Sequence, residues 1–232
     1  MNNFLTIQEW ARNYFSDSIS LHKINSGINN QVYIVRMDSG PVILKYFPFK
    51  KTYPDRFSAE CDLLTLANRL SPKNAPKLFK QDKSNRIMIL EFINGEPYNQ
   101  KNLPTMKDIE GAVEFYKKIN SDISMSRKTI RHFASDYFPS TFEHMNHVDQ
   151  RIKNLSDYQI NDSLKNEVQY CLDLLEKHWR ELKTFIFKEY SGSTISKKIS
   201  MEDLQISPSD FGFHNALRTN TGPVFFDFEF SG

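Results

Sequence analysis

The stretch QISPSDFGFHNALRTNTGPVFFDFEFSG, residues 205–232, decides how the chain is read, because it carries Asp210, Asn215 five residues later and Asp227 twelve beyond that. An acid in a loop can accept a proton from a hydroxyl, an amide oxygen can bind a metal, and a second acid can bind the same metal set; phosphoryl transfer divides its labour in this way. The apolar runs Ala216-Leu217 and Val224 to Phe230 read as two short strands around the turn Asn220-Thr221-Gly222. Such a hairpin would hold Asn215 and Asp227 close together at one end. Mg2+ favours carboxylate and amide oxygens and keeps part of its water, so this pair, completed by phosphate oxygens, suits it. Taken alone, the Asp210–Asn215 pair is also the composition of an ordinary turn.

Residues upstream shift that balance. Lys45 ends the strand-like run Pro41-Val42-Ile43-Leu44, and Glu60 follows on the helical stretch Asp55 to Leu70. The segment INSGINNQVYIV, residues 24–35, supplies a turn from Ser26-Gly27 to Asn30 between two β-rich pieces. Loop, lysine, glutamate, aspartate, asparagine and aspartate thus occur in kinase order. The motifs SGINNQVYIV, VILKYF, the Glu60 helix, ILEFINGE (Ile89 to Glu96), SPSDFGFHNAL and FFDFE resemble the aminoglycoside phosphotransferase and choline kinase family, from about Ile19 to the last residue.

That resemblance implies an α+β, bilobal protein-kinase-like fold: a small β-rich N-terminal lobe with one main helix, and a mostly helical C-terminal lobe. It implies ATP-dependent transfer of a γ-phosphoryl group to a small-molecule hydroxyl. Lys45 would bind the α- and β-phosphates of ATP, with Glu60 as its partner, and Gly27 and Asn30 would lie in the phosphate-covering turn. The Glu91 carbonyl and Ile93 amide would face adenine, Asp210 would be the catalytic acid-base residue, and Asn215 and Asp227 would hold Mg2+. The sequence departs from the family in two places. Pro208-Ser209 stand before Asp210 where the family has His-Gly, and the chain stops at Gly232 where the family continues with further helices. The second departure is the expectation of an incomplete C-terminal lobe.

Composition fits an intracellular enzyme domain. With 232 residues there is room for one large domain or two small lobes around a cleft. A hydrophobic fraction of 39%, with 19 Phe and 10 Tyr, argues for well-filled lobes and against disorder. Mean hydropathy is −0.54, as for a water-soluble chain with a core. A net charge of +2 is too small for a nucleic-acid surface. Residues 1–97 carry 13 basic and 9 acidic side chains, and residues 98–232 carry 17 and 19, a slightly positive nucleotide half and a slightly negative acceptor half. Two isolated cysteines, Cys61 and Cys171, form no disulfide framework. The start MNNFLTIQEWARNYF lacks a signal-peptide core, and no run approaches the roughly 20 apolar residues of a membrane span, so the cytoplasm is expected.

Organisation follows from the punctuation. Thr6 with Glu9 reads as a capping box for a short helix through Phe15, with Trp10 and Phe15 packing on the lobe. Strands are expected near 19–26, 31–37, 41–47, 77–81 and 86–93, with Asp38-Ser39-Gly40 and Asp82-Lys83-Ser84-Asn85 as turns. A helix over 55–70 ends before Ser71-Pro72. Residues 1–93 form the nucleotide-binding lobe, 94–98 (Asn94-Gly95-Glu96-Pro97-Tyr98) the hinge region, and 99–232 the helical lobe with the catalytic loop. Thr105 and Asp108 cap a helix to about Asn120, with Ile109, Ala112, Val113, Tyr116 and Ile119 at helical spacing. Further helices are expected at about 139–155 and 162–187, and Lys183 to Lys198 reads as a solvated connector.

Several residues have duller readings beside these. Lys45 is also an ordinary strand lysine and Glu60 a surface charge, but their order favours the pair. His144 and His147 have zinc-ligand spacing without a matching cluster, which leaves a solvated helix face. His214 would be a packing residue, with Asp210 the better base, and Glu229 would share a strand face with Asp227 and assist the metal. The acceptor is open among aminoglycosides, choline-like amines, amino acids and sugars, and GTP is as compatible as ATP with backbone hinge contacts. A second function fits the same residues: a catalytically incomplete nucleotide-binding fragment or pseudokinase-like module. A protein kinase is disfavoured, since Asp227 is followed by Phe-Glu and no activation segment.

Overall fold

Alternation along one strand orders the N-terminal half. In β3 (Val42–Tyr46) successive side chains point to opposite faces of the sheet, so Val42, Leu44 and Tyr46 face one way while Ile43, Lys45 and, just beyond the strand, Phe47 face the other. The computed structural model describes residues 3–15, 19–24, 29–157 and 164–232. The expected strands form a five-stranded antiparallel sheet of order β1-β2-β3-β5-β4, with β1 Ser20–Ile24, β2 Gln31–Arg36, β4 Leu78–Asp82 and β5 Ile87–Glu91.

One face of this sheet packs on α1 (Asn3–Phe15) through Ile7 and Ala11, against Tyr33, Val35, Leu44, Ile87 and Ile89. The Trp10 indole donates to Asp82 at 2.9 Å, which ties that helix to the end of β4. Because α1 begins at Asn3, Thr6 lies inside it and is not its N-cap, contrary to the capping box expected from Thr6 and Glu9. The other face packs on α2 (Arg56–Leu70), whose Leu63, Leu64 and Ala67 join Met88, Leu90 and Phe47. Glu60 lies three and four residues before Leu63 and Leu64, so it shares their inward face.

After β5 the chain pairs once more, as β6 (Glu96–Pro97) on β7 (Ala216–Thr219), which forms a hairpin with β8 (Gly222–Phe225). Gly95 makes this approach possible: a Cβ there would stand 2.7 Å from the Arg218 carbonyl oxygen. Strand β8 stops at Phe225, so the strand expected to run to Phe230 ends before Asp227, which takes a left-handed φ of 65°. No strand accommodates that backbone angle.

The helix α3 (Met106–Ile119) has the expected Thr105–Asp108 capping box, but a different buried stripe. Phe115 and Ile119 are fully buried, while Ile109, Val113 and Tyr116 are exposed. The reason is aromatic. Phe115 meets Phe211, Phe225 and Phe228 with ring centroids 5.6–5.9 Å apart, and this cluster fixes which side of α3 turns inward. A short helix α4 (Ile123–Thr129), not foreseen from periodicity, follows, with Asp122 accepting from the Met125 amide.

Contacts group the chain into two compact units, Met1–Asp136 with Gln205–Gly232, and Tyr137–Leu204. The second holds α5 (Thr141–Ser156), α6 (Lys165–Glu189) and α7 (Gly192–Ser196). Asp149 of α5 accepts from the Trp179 indole and the Lys183 ammonium of α6, both at 2.7 Å. Most of the expected connector Lys183 to Lys198 is thus helical, as the end of α6 and all of α7. His144 and His147 pack their rings on Phe138, with centroids 4.7 Å away. Cys61 is buried on α2 and Cys171 exposed on α6, both as free thiols. Among the described residues no helix is long and apolar enough to cross a membrane.

Two outcomes test this packing. Phe115→Ala removes the ring shared by the three others and is expected to cost about 3–5 kcal/mol, read from urea denaturation. The second concerns Asp108, where the Arg218 guanidinium (2.7 Å) and the Tyr98 hydroxyl (2.9 Å) meet. Burial by itself would raise the Asp108 carboxyl, but the Thr105 amide and hydroxyl, then Arg218 and Tyr98, hold it well below the usual carboxylate range. A depressed folded value means that stabilisation is complete above the unfolded value of about 3.9 and is lost as pH falls further. Unfolding free energy should therefore drop below about pH 4 in the wild type and drop less steeply in Asp108→Asn.

Candidate functional site

Lys45 sits at the centre of the site because strand alternation aims it at α2. Its ammonium lies 2.6 and 2.8 Å from the two Glu60 carboxylate oxygens and 2.5 Å from Asp227 Oδ1. The Lys45 and Glu60 side chains are 5% and 1% exposed, which is why they must be paired. Burial would depress the Lys45 ammonium, but the charges of Glu60 and then Asp227 outweigh it and hold its pKa above the ordinary lysine value. Burial pushes the Glu60 carboxyl up, and Lys45 pulls it back. These two directions pull against each other for one contact. The ion pair prevails, since an ammonium touching both Glu60 oxygens and a second carboxylate remains protonated.

Asp227 comes to Lys45 through the backbone that follows β8. The Phe226 amide donates to the Asn215 carbonyl at 3.0 Å, which carries the hairpin pairing one step beyond Ala216–Phe225. The chain then turns at Asp227, and Phe228 enters the aromatic cluster on Phe115. Beyond it the Ser231 hydroxyl donates to the Ala59 carbonyl of α2 at 3.1 Å. Ser207 and Gly232 exchange two backbone hydrogen bonds at 2.8 and 3.0 Å, so the last residues lie along the loop leading to Asp210.

That loop has its own order. Asn215 donates from its amide to the Asp210 carbonyl at 3.0 Å and to Asp210 Oδ2 at 3.2 Å, while His214 Nε2 lies 3.0 Å from Asp210 Oδ1. Asp210 and His214 side chains are 53% and 64% exposed, so the carboxylate is open to a solute. Gly212 leaves room for the His214 ring: a Cβ there would stand 2.7 Å from Nδ1. Ser209, just before Asp210, has a left-handed φ of 57° that favours glycine.

The structure therefore gathers two groups of the anticipated residues. One is Lys45, Glu60, Asn30 and Asp227, and the other is Asp210, His214 and Asn215. The side chains of Asn215 and Asp227 have different partners, and the hairpin joins them through the backbone. Glu91 ends β5, where its amide donates to the Lys77 carbonyl and its carboxylate accepts from the Lys77 amide. Ile93 lies two residues further on, before β6. Gly27 lies outside the described residues. Glu229 was expected on a strand face with Asp227. It lies instead beyond the strand, is 2% exposed, and accepts from Asn29 at 2.8 Å and Asn30 at 2.9 Å. Arg56 approaches the same carboxylate at 3.6 Å. Burial raises the Glu229 carboxyl, with the Asn30 hydrogen bond opposing. Sequence reasoning missed Asn29 and Arg56. The Asn29-Asn30 doublet before β2 was a signal, but nothing in the order of residues connects it with Glu229.

Asp227, about one-third exposed beside Lys45, offers carboxylate oxygens of the kind that suit a hard cation. Among the described residues no three or more His, Cys, Asp or Glu side chains gather as a metal cage, so a bound cation would need further oxygens from its ligand or water.

No family model matches the sequence, and no curated protein matches it either. Solved structures do match. A spectinomycin phosphotransferase, solved with ADP and spectinomycin, superposes with a TM-score of 0.66 at 14% identity, over 98% of this chain and 69% of that one. A choline kinase from Cryptosporidium parvum gives 0.57 at 20% identity, over 99% and 65%, and a Plasmodium vivax ethanolamine kinase gives 0.53 at 16%, over 99% and 62%. The chain thus has the protein-kinase-like α+β fold of small-molecule kinases. It spans somewhat less than two thirds of the length of the choline and ethanolamine kinases it matches.

The Lys45 cluster yields a stability test. Lys45→Met leaves Glu60 buried without its counter-charge and is expected to cost about 3–5 kcal/mol. Lys45→Met with Glu60→Gln should recover part of that loss in urea denaturation. A double variant no more stable than Lys45→Met would show that the two charges are not coupled.

Proposed function

We propose that this chain binds Mg·ATP and transfers the γ-phosphoryl group to a hydroxyl of a small molecule. The observation that carries this conclusion is the buried Lys45–Glu60 pair in contact with Asp227, within a fold shared with small-molecule kinases. Residues 1–93 hold the nucleotide, 94–98 link, and 99–232 supply the catalytic loop. GTP remains an alternative donor, and the cytoplasm is the proposed location.

Lys45 is a fixed positive charge for the nucleotide phosphates, and Glu60 keeps it in place. Asn30 is positioned beside Asp227 to offer its amide to the same region, at 3.4 Å from Oδ1. Glu91 and Ile93 supply backbone groups for the base. Asn215 and Asp227 would hold Mg2+, which when bound neutralises phosphate charge and aligns the transferred group. Asp210 orients the acceptor hydroxyl and takes its proton late, since the transition state is loose and positioning dominates. Two hydrogen bonds hold the Asp210 carboxylate, and its remaining lone pairs face solvent. The acceptor classes are those of aminoglycosides, choline-like amines, amino acids and sugars.

Calorimetric titration with ATP and Mg2+ tests the nucleotide site. Lys45→Met and Asp227→Ala should both weaken binding, and equal affinity in all three proteins, with or without Mg2+, would overturn the assignment. In a substrate panel read by ADP release, Asp210→Asn is expected to lower turnover by about 10²–10⁴ while leaving ATP affinity nearly unchanged. Tight nucleotide binding with no transfer to any acceptor would favour the non-catalytic nucleotide-binding module.

A further inference from the structure

We propose that Glu229 is a positioning residue that pins the Asn29-Asn30 stretch, at the entry to β2, over the site where the nucleotide phosphates lie. The proposal rests on the nucleotide-site assignment above and adds a part that neither the motif order nor the Lys45 cluster supplies. Glu229 is buried and carries a carboxylate with two oxygens. Oε1 accepts from the Asn29 amide at 2.8 Å and Oε2 accepts from the Asn30 amide at 2.9 Å. One carboxylate thereby grips two consecutive residues some 200 positions away in sequence. Arg56, at the first turn of α2, stands 3.6 Å from Oε1, and its guanidinium lies 4.8 Å from the Phe230 ring centroid. Three separate pieces of chain meet there: the entry to β2, the start of α2, and the segment from the Asp227 turn to Phe230.

The geometry is that of a clamp with a shared donor. The Asn30 amide reaches both Glu229, at 2.9 Å, and Asp227, at 3.4 Å. If Asp227 were to hold a cation or phosphate, Asn30 would give up only the longer of its two contacts. Glu229 would still hold Asn29 and Asn30, so the segment would keep its place while the nearby carboxylate changed partners. A charged acceptor makes these hydrogen bonds stronger than neutral ones, and burial protects them from water. Glu229 acts through the asparagines and needs no contact with the nucleotide.

Hydrogen exchange on the free chain and ligand titration together test this. The variants are Glu229→Gln, which keeps one carbonyl acceptor, Glu229→Ala, which keeps none, and Asn29→Ala, which leaves the buried carboxylate in place. Amides of residues 30–33 are expected to exchange faster in the order Ala, Gln, wild type at position 229, and faster in Asn29→Ala, while those of β4 and β5 stay unchanged. Mg·ATP affinity should fall about tenfold in Asn29→Ala, the size of one lost hydrogen bond to a charged group, and at least as far in Glu229→Ala, which loses two. Adenosine, which has no phosphates, should bind within about twofold of wild type; general loss of structure would weaken both ligands alike. Unchanged exchange at 30–33 in both Glu229→Ala and Asn29→Ala would overturn the pin, as would equal losses for ATP and adenosine. If the wild type bound neither ligand, the nucleotide assignment would fall, and the proposed role over the phosphates would fall with it; faster exchange at 30–33 would then establish only a structural pin.

Discussion

An ammonium buried among hydrophobic side chains is the constraint on which the site depends. Lys45 stands between Ile43 and Phe47 on the face of the sheet covered by α2, where water cannot solvate its charge. An uncompensated charge there would be costly, so the fold must bring carboxylates to it. Glu60 arrives from α2 and Asp227 from the far end of the chain, 182 residues away. Sheet, helix and C-terminal hairpin are thereby required to meet at one point, and the same contact gathers the charges that a phosphate ligand would use.

Phenylalanines do the corresponding work on the apolar side. Phe211 follows Asp210, Phe228 follows Asp227, and Phe225 ends the strand between them. All three pack on Phe115 of α3. Each polar residue is thus held by the ring beside it in sequence, which lets the carboxylates of Asp210 and Asp227 stay partly exposed on a rigid support. Left-handed backbone at Ser209 and Asp227 brackets this arrangement. Asp tolerates that conformation better than most residues, and at Asp227 it redirects the chain from the β8 edge toward α2.

The unit formed by Tyr137–Leu204 is built on other terms. Its long helix α6 buries Leu172 but leaves Tyr170, Leu174, Leu175, Leu182, Phe185 and Phe187 exposed. Among its specific contacts are the Asp149 bonds to Trp179 and Lys183 and the Ser156 hydroxyl bond to Glu176. The residues of the candidate site all lie in the other unit.

Local order in the chain determined much of this. Strand alternation places Lys45 opposite Leu44, helical spacing puts Glu60 with Leu63 and Leu64, and Thr105 with Asp108 caps α3, because each depends on neighbours within a few residues. The sequence by itself thus determined the α+β class, the five strands and the contact of Lys45 with Glu60, whereas it grouped Asp227 with Asn215 and not with Lys45. Tertiary structure alone decided the rest. Which side of α3 is buried depends on rings brought from residues 211–228, so Ile109 and Val113 could not be known to lie outside. Where β8 ends depends on the turn at Asp227 that burying Phe228 and Glu229 imposes. The grip of Glu229 on Asn29 and Asn30 joins residues about 200 positions apart, and no periodicity extends over that separation. Short-range rules govern the elements, whereas the pairing of buried charges and rings across the chain governs the site.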